Sequence, residues 1–141
     1  MDIGQDYKSN EDPSVNQKIA GFVLEFFGPE EEGYLQVNDH VWRFTEEDYE
    51  INLIITSKLI VFDAELSGLP TKLQAEFVLE LLKLNGHQTK ACKFCMVKGM
   101  VRLRIVYEHE YFVFEAFKSN MEEMRWQFPR FRESLGQKFF A

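Results

Sequence analysis

Residues 49–70 read YEINLIITSKLIVFDAELSGLP, and the reading of this stretch decides the fold class. Two apolar runs, 49–56 and 59–66, flank Ser57-Lys58. Both are rich in β-branched and aromatic residues, which predicts two strands joined by a tight turn. Leu53, Ile55 and their cross-strand neighbours are expected in the core, and Leu69-Pro70 ends the pair.

The same pattern extends upstream. Residues 34–37 (YLQV) and 41–44 (VWRF) flank Asn38-Asp39-His40, a second hairpin, while Glu46, Glu47 and Asp48 mark the loop between the pairs. The whole segment reads as an antiparallel meander. Downstream, residues 90–97 (KACKFCMV) and 100–107 (MVRLRIVY) flank a turn at Lys98-Gly99. Val101, Leu103, Ile105 and Tyr107 alternate with Arg102 and Arg104, the pattern of a half-buried strand.

Helical spacing appears in three places. Asp12-Pro13 predicts an N-cap with proline at the first helical position, and Val15, Ile19, Phe22, Val23 and Phe26 follow on one face. Gly28-Pro29 stops that helix, and Glu30-Glu31-Glu32 reads as a surface connection. Thr71 and Gln74 match a capping box for a second helix, with Leu73, Phe77, Leu81 and Leu84 on its face, Val78 beside them, and a stop at Asn85-Gly86. Across 110–135, Phe114, Phe117, Met121, Met124, Phe128, Phe131 and Leu135 form a heptad-like seam. Pro129 is expected to kink or break this helix, and the seam to cover one sheet face. The fold class is α+β: an antiparallel sheet with helices packed on it, in the order α-β-β-β-α-β-β-α. Residues 1–11 are read as a flexible N-terminus and 12–141 as a single domain.

The 141 residues suffice for one core, and 14 phenylalanines predict that it is rich in rings. No apolar run approaches a membrane span, and the first residues lack the pattern of a signal peptide, so a cytoplasmic location and no membrane partner are expected. A net charge of −7 argues against nucleic acid as a partner. It divides unevenly. Residues 1–70 carry 15 acids against 4 Lys/Arg, a net of −11, and residues 71–141 carry 8 against 12, a net of +4. One half could attract a basic partner or the other half of a second copy, although two differently solvated surfaces would look the same.

Cys92 and Cys95 are the only cysteines and form a Cys-x-x-Cys spacing. In a strand, side chains three apart point to opposite faces, and no further ligand cluster accompanies the pair. They read as packing residues. No phosphate loop, dinucleotide fingerprint or nucleophile elbow occurs, so no catalytic residue, metal or cofactor is expected. Glu46-Glu47 and Glu122-Glu123 read as solvated carboxylates. Between residues 83 and 104 lie Lys83, Lys90, Lys93, Lys98, Arg102 and Arg104 with no acid among them. Lys93, Arg102 and Arg104 are expected to share the sheet face away from the core, a surface for an acidic helix or peptide. An RNA-binding sheet would place aromatics beside them, and Phe94 alternates to the other side.

Certain stretches carry a family resemblance. LIVFDAELSGLP (59–70), LELLKLNGHQTKACKF (79–94), RLRIVY (102–107) and WQFPRFRESL (126–135) resemble the YbjN family, from about Trp42 to Leu135. The element order is also similar to class I type III secretion chaperones. The resemblance implies a non-enzymatic, usually homodimeric chaperone or adaptor. Such a protein holds an extended segment of a client by strand addition and apolar patches. Phe22, Phe26, Phe114 and Phe117, with Lys93, Arg102 and Arg104, are the candidate protein-binding residues. The YbjN likeness adds an alternative: a regulatory or stress-response module with a regulatory partner and Cys92/Cys95 as a redox or metal input.

Overall fold

The computed structural model describes residues 13–29 and 33–141. Asp12, the expected N-cap, and the Glu30-Glu31-Glu32 connection lie outside the described residues. Helix α1 (Pro13–Phe27) leads into strands β1 (Tyr34–Asn38), β2 (Val41–Thr45), β3 (Glu50–Ile55) and β4 (Leu59–Gly68). Helix α2 (Gln74–His87), the hairpin β5 (Lys93–Val97) and β6 (Met100–Glu108), and the long helix α3 (Phe114–Phe139) follow. All four upstream stretches are strands, one more than the expected order held.

The strands form one antiparallel sheet in the order β1-β2-β3-β4-β6-β5. Gly28 at φ +84° closes α1 in the left-handed conformation that suits glycine after a helix. Lys98 and Gly99, both at positive φ, make the tight turn between β5 and β6.

Period-two alternation sorts the sheet into two faces. On the inner face Trp42, Leu53, Phe62 and Ile105 lie in register across four strands, as do Ala64, Leu103 and Phe94 across three. These residues form the core with α1 and α3. The α3 seam supplies Phe117, Met121, Met124, Phe128, Phe131 and Leu135, all buried, and Ile19 and Val23 enter from α1. Rings meet at the centre: Phe117 lies 6.0 Å from Phe44 and 5.9 Å from Phe62. Burying each such ring stabilises the fold by about 2 kcal/mol. The seam therefore covers the sheet within one chain, as its spacing suggested.

Three local expectations are corrected. Helix α3 runs through Pro129 without breaking. Proline removes one hydrogen bond, but the seam anchors both sides, with Met124 and Phe128 before it and Phe131 and Leu135 after it. The capping box at Thr71 does not form: α2 enters through Leu73 in a left-handed conformation with no side-chain cap, and Gln74 instead donates to the Pro70 carbonyl at 2.9 Å. That entry leaves Leu73 exposed rather than buried. Finally, α2 continues past Asn85-Gly86 to His87, and the Asn85 side chain is used elsewhere.

The uneven charge of the two halves is partly neutralised inside the chain. Arg125 donates to both Glu46 oxygens at 2.6 and 3.2 Å, and Arg132 reaches the Asp48 carboxylate at 2.8 Å. Tyr49 stacks on Phe128 at 4.5 Å between these pairs. Burial, with Glu46 nearby, pushes the Tyr49 hydroxyl up to about 12. Glu46, largely buried, thus fastens the β2–β3 loop to α3 rather than standing solvated as expected, and the exposed Asp48 adds a second tie.

Candidate functional site

A six-stranded open sheet has two edges, and each presents backbone groups without a ladder partner. At the β5 edge the hairpin register points the N–H and C=O of Phe94 outward, away from β6. Both are taken. Phe94 N–H donates to Asn85 Oδ1 at 2.7 Å, and Asn85 Nδ2 donates to the Phe94 carbonyl at 3.1 Å. Just before the strand, the N–H groups of Lys90, Ala91 and Cys92 converge on the Glu123 carboxylate at 3.1, 2.9 and 3.0 Å. Burial opposes ionisation of Glu123, but the Cys92 thiol and these N–H groups outweigh it and hold the carboxyl below its usual range. Glu123 is therefore a structural anchor and not the solvated group expected of it.

The β1 edge differs. Thr45 N–H donates to the Gly33 carbonyl at 2.8 Å, which turns the alternate positions Tyr34 and Gln36 outward. Among the described residues no side chain caps them. Leu35 (58% exposed) and Val37 lie on this strand in solvent, and four of its five residues are exposed. An open edge with apolar side chains is a template for another strand.

The outer face of the sheet has two rows. Val41, Ile54, Val61 and Val106 run in register as an apolar row. Beside it Arg43, Asn52, Asp63, Arg104 and Lys93 form a polar one. A second, small apolar cluster of Ile54 and Val61 with Val41 and Leu59 contains strand residues only. Arg102 Nη1 and Arg104 Nε each reach an Asp63 oxygen at 2.8 Å, and Arg102 Nη2 reaches Glu65 at 3.1 Å. Burial pushes the Asp63 carboxyl up, against the two arginines that favour its ionised form.

Helix α2 presents a third surface. Phe77 and Leu81 face the core, yet the opposite side carries Ala75, Val78, Leu79, Leu82 and Gly86 with no charge among them. Leu79 is 56% exposed and Leu82 61%. Side chains at these spacings share one helix face.

The residues singled out from the sequence separate under this geometry. Phe117 is fully buried, and Arg102 is nearly so, both within contacts of their own chain. Neither side chain is open to solvent in this fold. Phe22, Phe26 and Phe114 are half-buried along the seam between α1 and α3, where Phe22 meets Phe114 at 5.8 Å and Phe26 meets Phe117 at 5.7 Å. Lys93 and Arg104 do share the outer face, paired across β5 and β6. Lys93 Nζ also turns back to the Asn85 carbonyl at 2.9 Å.

Cys92 lies in the core, whereas Cys95 sits on the other face near Arg104, Asp63 and Arg102. Burial pushes both thiols up, most strongly at Cys92 where Glu123 adds to it. Thiolate chemistry is disfavoured at both positions. Among the described residues no group of three His, Cys, Asp or Glu could hold a metal ion, and no helix is long and apolar enough to cross a membrane.

No protein-family model matches the chain, and no curated protein does. Solved structures share its fold. A chain of the heterodimeric ExoU–SpcU complex from the type III secretion system of Pseudomonas aeruginosa superimposes with a TM-score of 0.62 at 18% identity, covering 79% of this chain and 93% of that one. The ExsC–ExsE complex gives 0.66 at 13% identity, covering 89% and 96%. The HopA1–SchA chaperone–effector complex gives 0.66 at 12%, covering 86% and 98%. The fold is type III secretion chaperone-like. At these identities the likeness carries architecture and no residue-level correspondence.

Sequence reasoning missed Asn85 as a tether, Glu123 as an anchor and β1 as an open edge. A polar residue closing the apolar pattern of α2 was the available signal for Asn85; Glu123, beside Glu122 in a polar stretch, gave none. For β1 no signal existed, because edge position depends on strand order.

Proposed function

We propose that this protein is a non-catalytic chaperone or adaptor that holds an extended segment of a client protein. The open β1 edge carries the reading. Outward backbone groups at Tyr34 and Gln36 supply hydrogen bonds without demanding a client sequence, and Leu35 and Val37 favour alternating apolar side chains. The half-buried rings of Phe22, Phe26 and Phe114 continue the client path along α1 and α3, and Lys93, exposed on the outer face, offers a positive charge to acidic residues of a partner, whereas Arg104 is held by Asp63. Support comes from the fold shared with chains of the HopA1–SchA chaperone–effector complex and of the ExoU–SpcU heterodimer.

The working unit is a homodimer joined through the uncharged face of α2, since a stripe holding Leu79 and Leu82 gains by burial against a second copy. The protein acts in the cytoplasm. The likeness to YbjN sequences supports a second reading, a regulatory or stress-response module whose client is a regulatory partner. A redox or metal input at Cys92/Cys95 forms no part of our proposal, because the sulfurs face opposite sides of the sheet.

Affinity capture from the native cell, followed by limited proteolysis, tests the proposal. A discrete client is expected, with one short segment protected only in the complex. Gln36→Pro removes an outward N–H without touching the β1–β2 ladder and should abolish that protection. Protection unchanged in the Gln36→Pro protein would refute strand addition at β1.

A further inference from the structure

We propose that Asn85 closes the β5 edge to strand addition, so that the sheet accepts an extended segment at β1 alone; the client-holding reading underlies the second half of this statement. An antiparallel strand added to β5 would need the N–H and C=O of Phe94, the outward pair at the strand's centre. The Asn85 carboxamide takes both, at 2.7 and 3.1 Å, in the donor–acceptor pattern a strand residue would offer. Asparagine suits the task because one short side chain carries an acceptor and a donor. Aspartate would accept from the N–H but leave the carbonyl unpaired, and leucine would do neither.

The surroundings reinforce the closure. Lys93 Nζ donates to the Asn85 carbonyl and to Thr89 Oγ1, both at 2.9 Å, which ties the strand to the end of α2. Glu123 takes the outward N–H of Cys92. Of the alternate outward positions 92, 94 and 96, the first two are thus occupied. The contrast with Tyr34 and Gln36, uncapped among the described residues, gives the sheet one receiving edge. Its consequence is a single client segment per chain. A second consequence concerns self-association: an open β5 would pair with the β1 edge of another copy, a head-to-tail contact that repeats without closing.

Backbone hydrogen exchange in the full chain tests the closure directly. In the wild-type protein the Phe94 amide should be protected like those of Lys93 and Cys95, while the Met96 amide exchanges quickly. In Asn85→Leu its protection should fall by roughly tenfold or more, with Leu103 unchanged. A wild-type Phe94 amide that exchanges as fast as Met96 would overturn the proposal.

A spin-labelled alternating Thr-Val peptide then reports where a strand docks. Line broadening in the wild type should be confined to β1 and β2, and in Asn85→Leu it should extend to Phe94 and Met96. Broadening at β5 in the wild type, or none there in Asn85→Leu, refutes the role of Asn85. Broadening at β5 of Asn85→Leu with none at β1 in either protein supports Asn85 and counts against the client-holding reading instead.

Discussion

The Glu123 carboxylate receives the backbone N–H of Cys92 at 3.0 Å, thirty-one residues distant in sequence, and so fixes α3 to the entry of β5. Lys90 and Ala91 donate to the same group. One side chain thereby satisfies three N–H groups that precede an edge strand, and hydrogen bonds to a charged acceptor are the stronger kind.

Glu123→Ala should therefore destabilise the fold by roughly 2 kcal/mol, read as a lowered urea midpoint with an unchanged slope. A pH dependence accompanies it. The folded carboxyl titrates below the usual 4.5, so its stabilisation is complete above that value and is lost as pH falls through the lowered one. The difference in stability between wild type and Glu123→Ala should shrink on acidification below pH 4.5. A difference that grows there would contradict the assignment.

Asp63 stands fully buried between Arg102 and Arg104, each bonded at 2.8 Å. Its removal leaves two guanidinium groups in the sheet without this counter-charge. Asp63→Leu should cost about 3–5 kcal/mol, whereas replacing all three by apolar residues of similar volume should recover most of that loss. Chemical denaturation of the single and triple variants decides the matter; a triple variant no more stable than the single would show that the charges were not the cause.

The α2 face predicts an oligomer that charge disrupts. Leu79→Glu with Leu82→Glu alters exposed side chains, so the chain should keep its far-ultraviolet spectrum while sedimenting as a monomer. Wild type should sediment as a dimer at micromolar concentration. Equal sedimentation of both proteins would remove α2 as the joining surface.

The elements that were legible in advance share a cause. Hydrophobic periodicity is written locally, so strands β3 and β4 could be read from alternation in 49–66, and the α3 seam from its three-and-four spacing. The turns at Asp39-His40, Ser57-Lys58 and Lys98-Gly99 were equally local. Most misreadings fell where a distant contact overrode a local rule, the cap at Thr71 being displaced by its own neighbours. Pro129 was expected to kink or break its helix, and burial on both sides keeps it unbroken. Thr71 should have capped one, but Leu73 entered by a different conformation. Glu46 and Glu123 looked solvated because their partners, Arg125 and the Cys92 backbone, lie far along the chain.

The candidate surfaces were less legible than the fold for the same reason. The apolar content of α2 was visible, yet which leucines would face solvent depended on how the helix lies against β5 and the end of α3. By itself the order of residues determined the elements, their faces and the ring-rich core, because period and side-chain volume act over a few residues. Only the tertiary structure decided that β1 and β5 are the edges, that Asn85 bonds to one of them and that no side chain among the described residues does so at the other. Strand order arises from pairings between distant segments, and no local pattern encodes which backbone groups are left facing water.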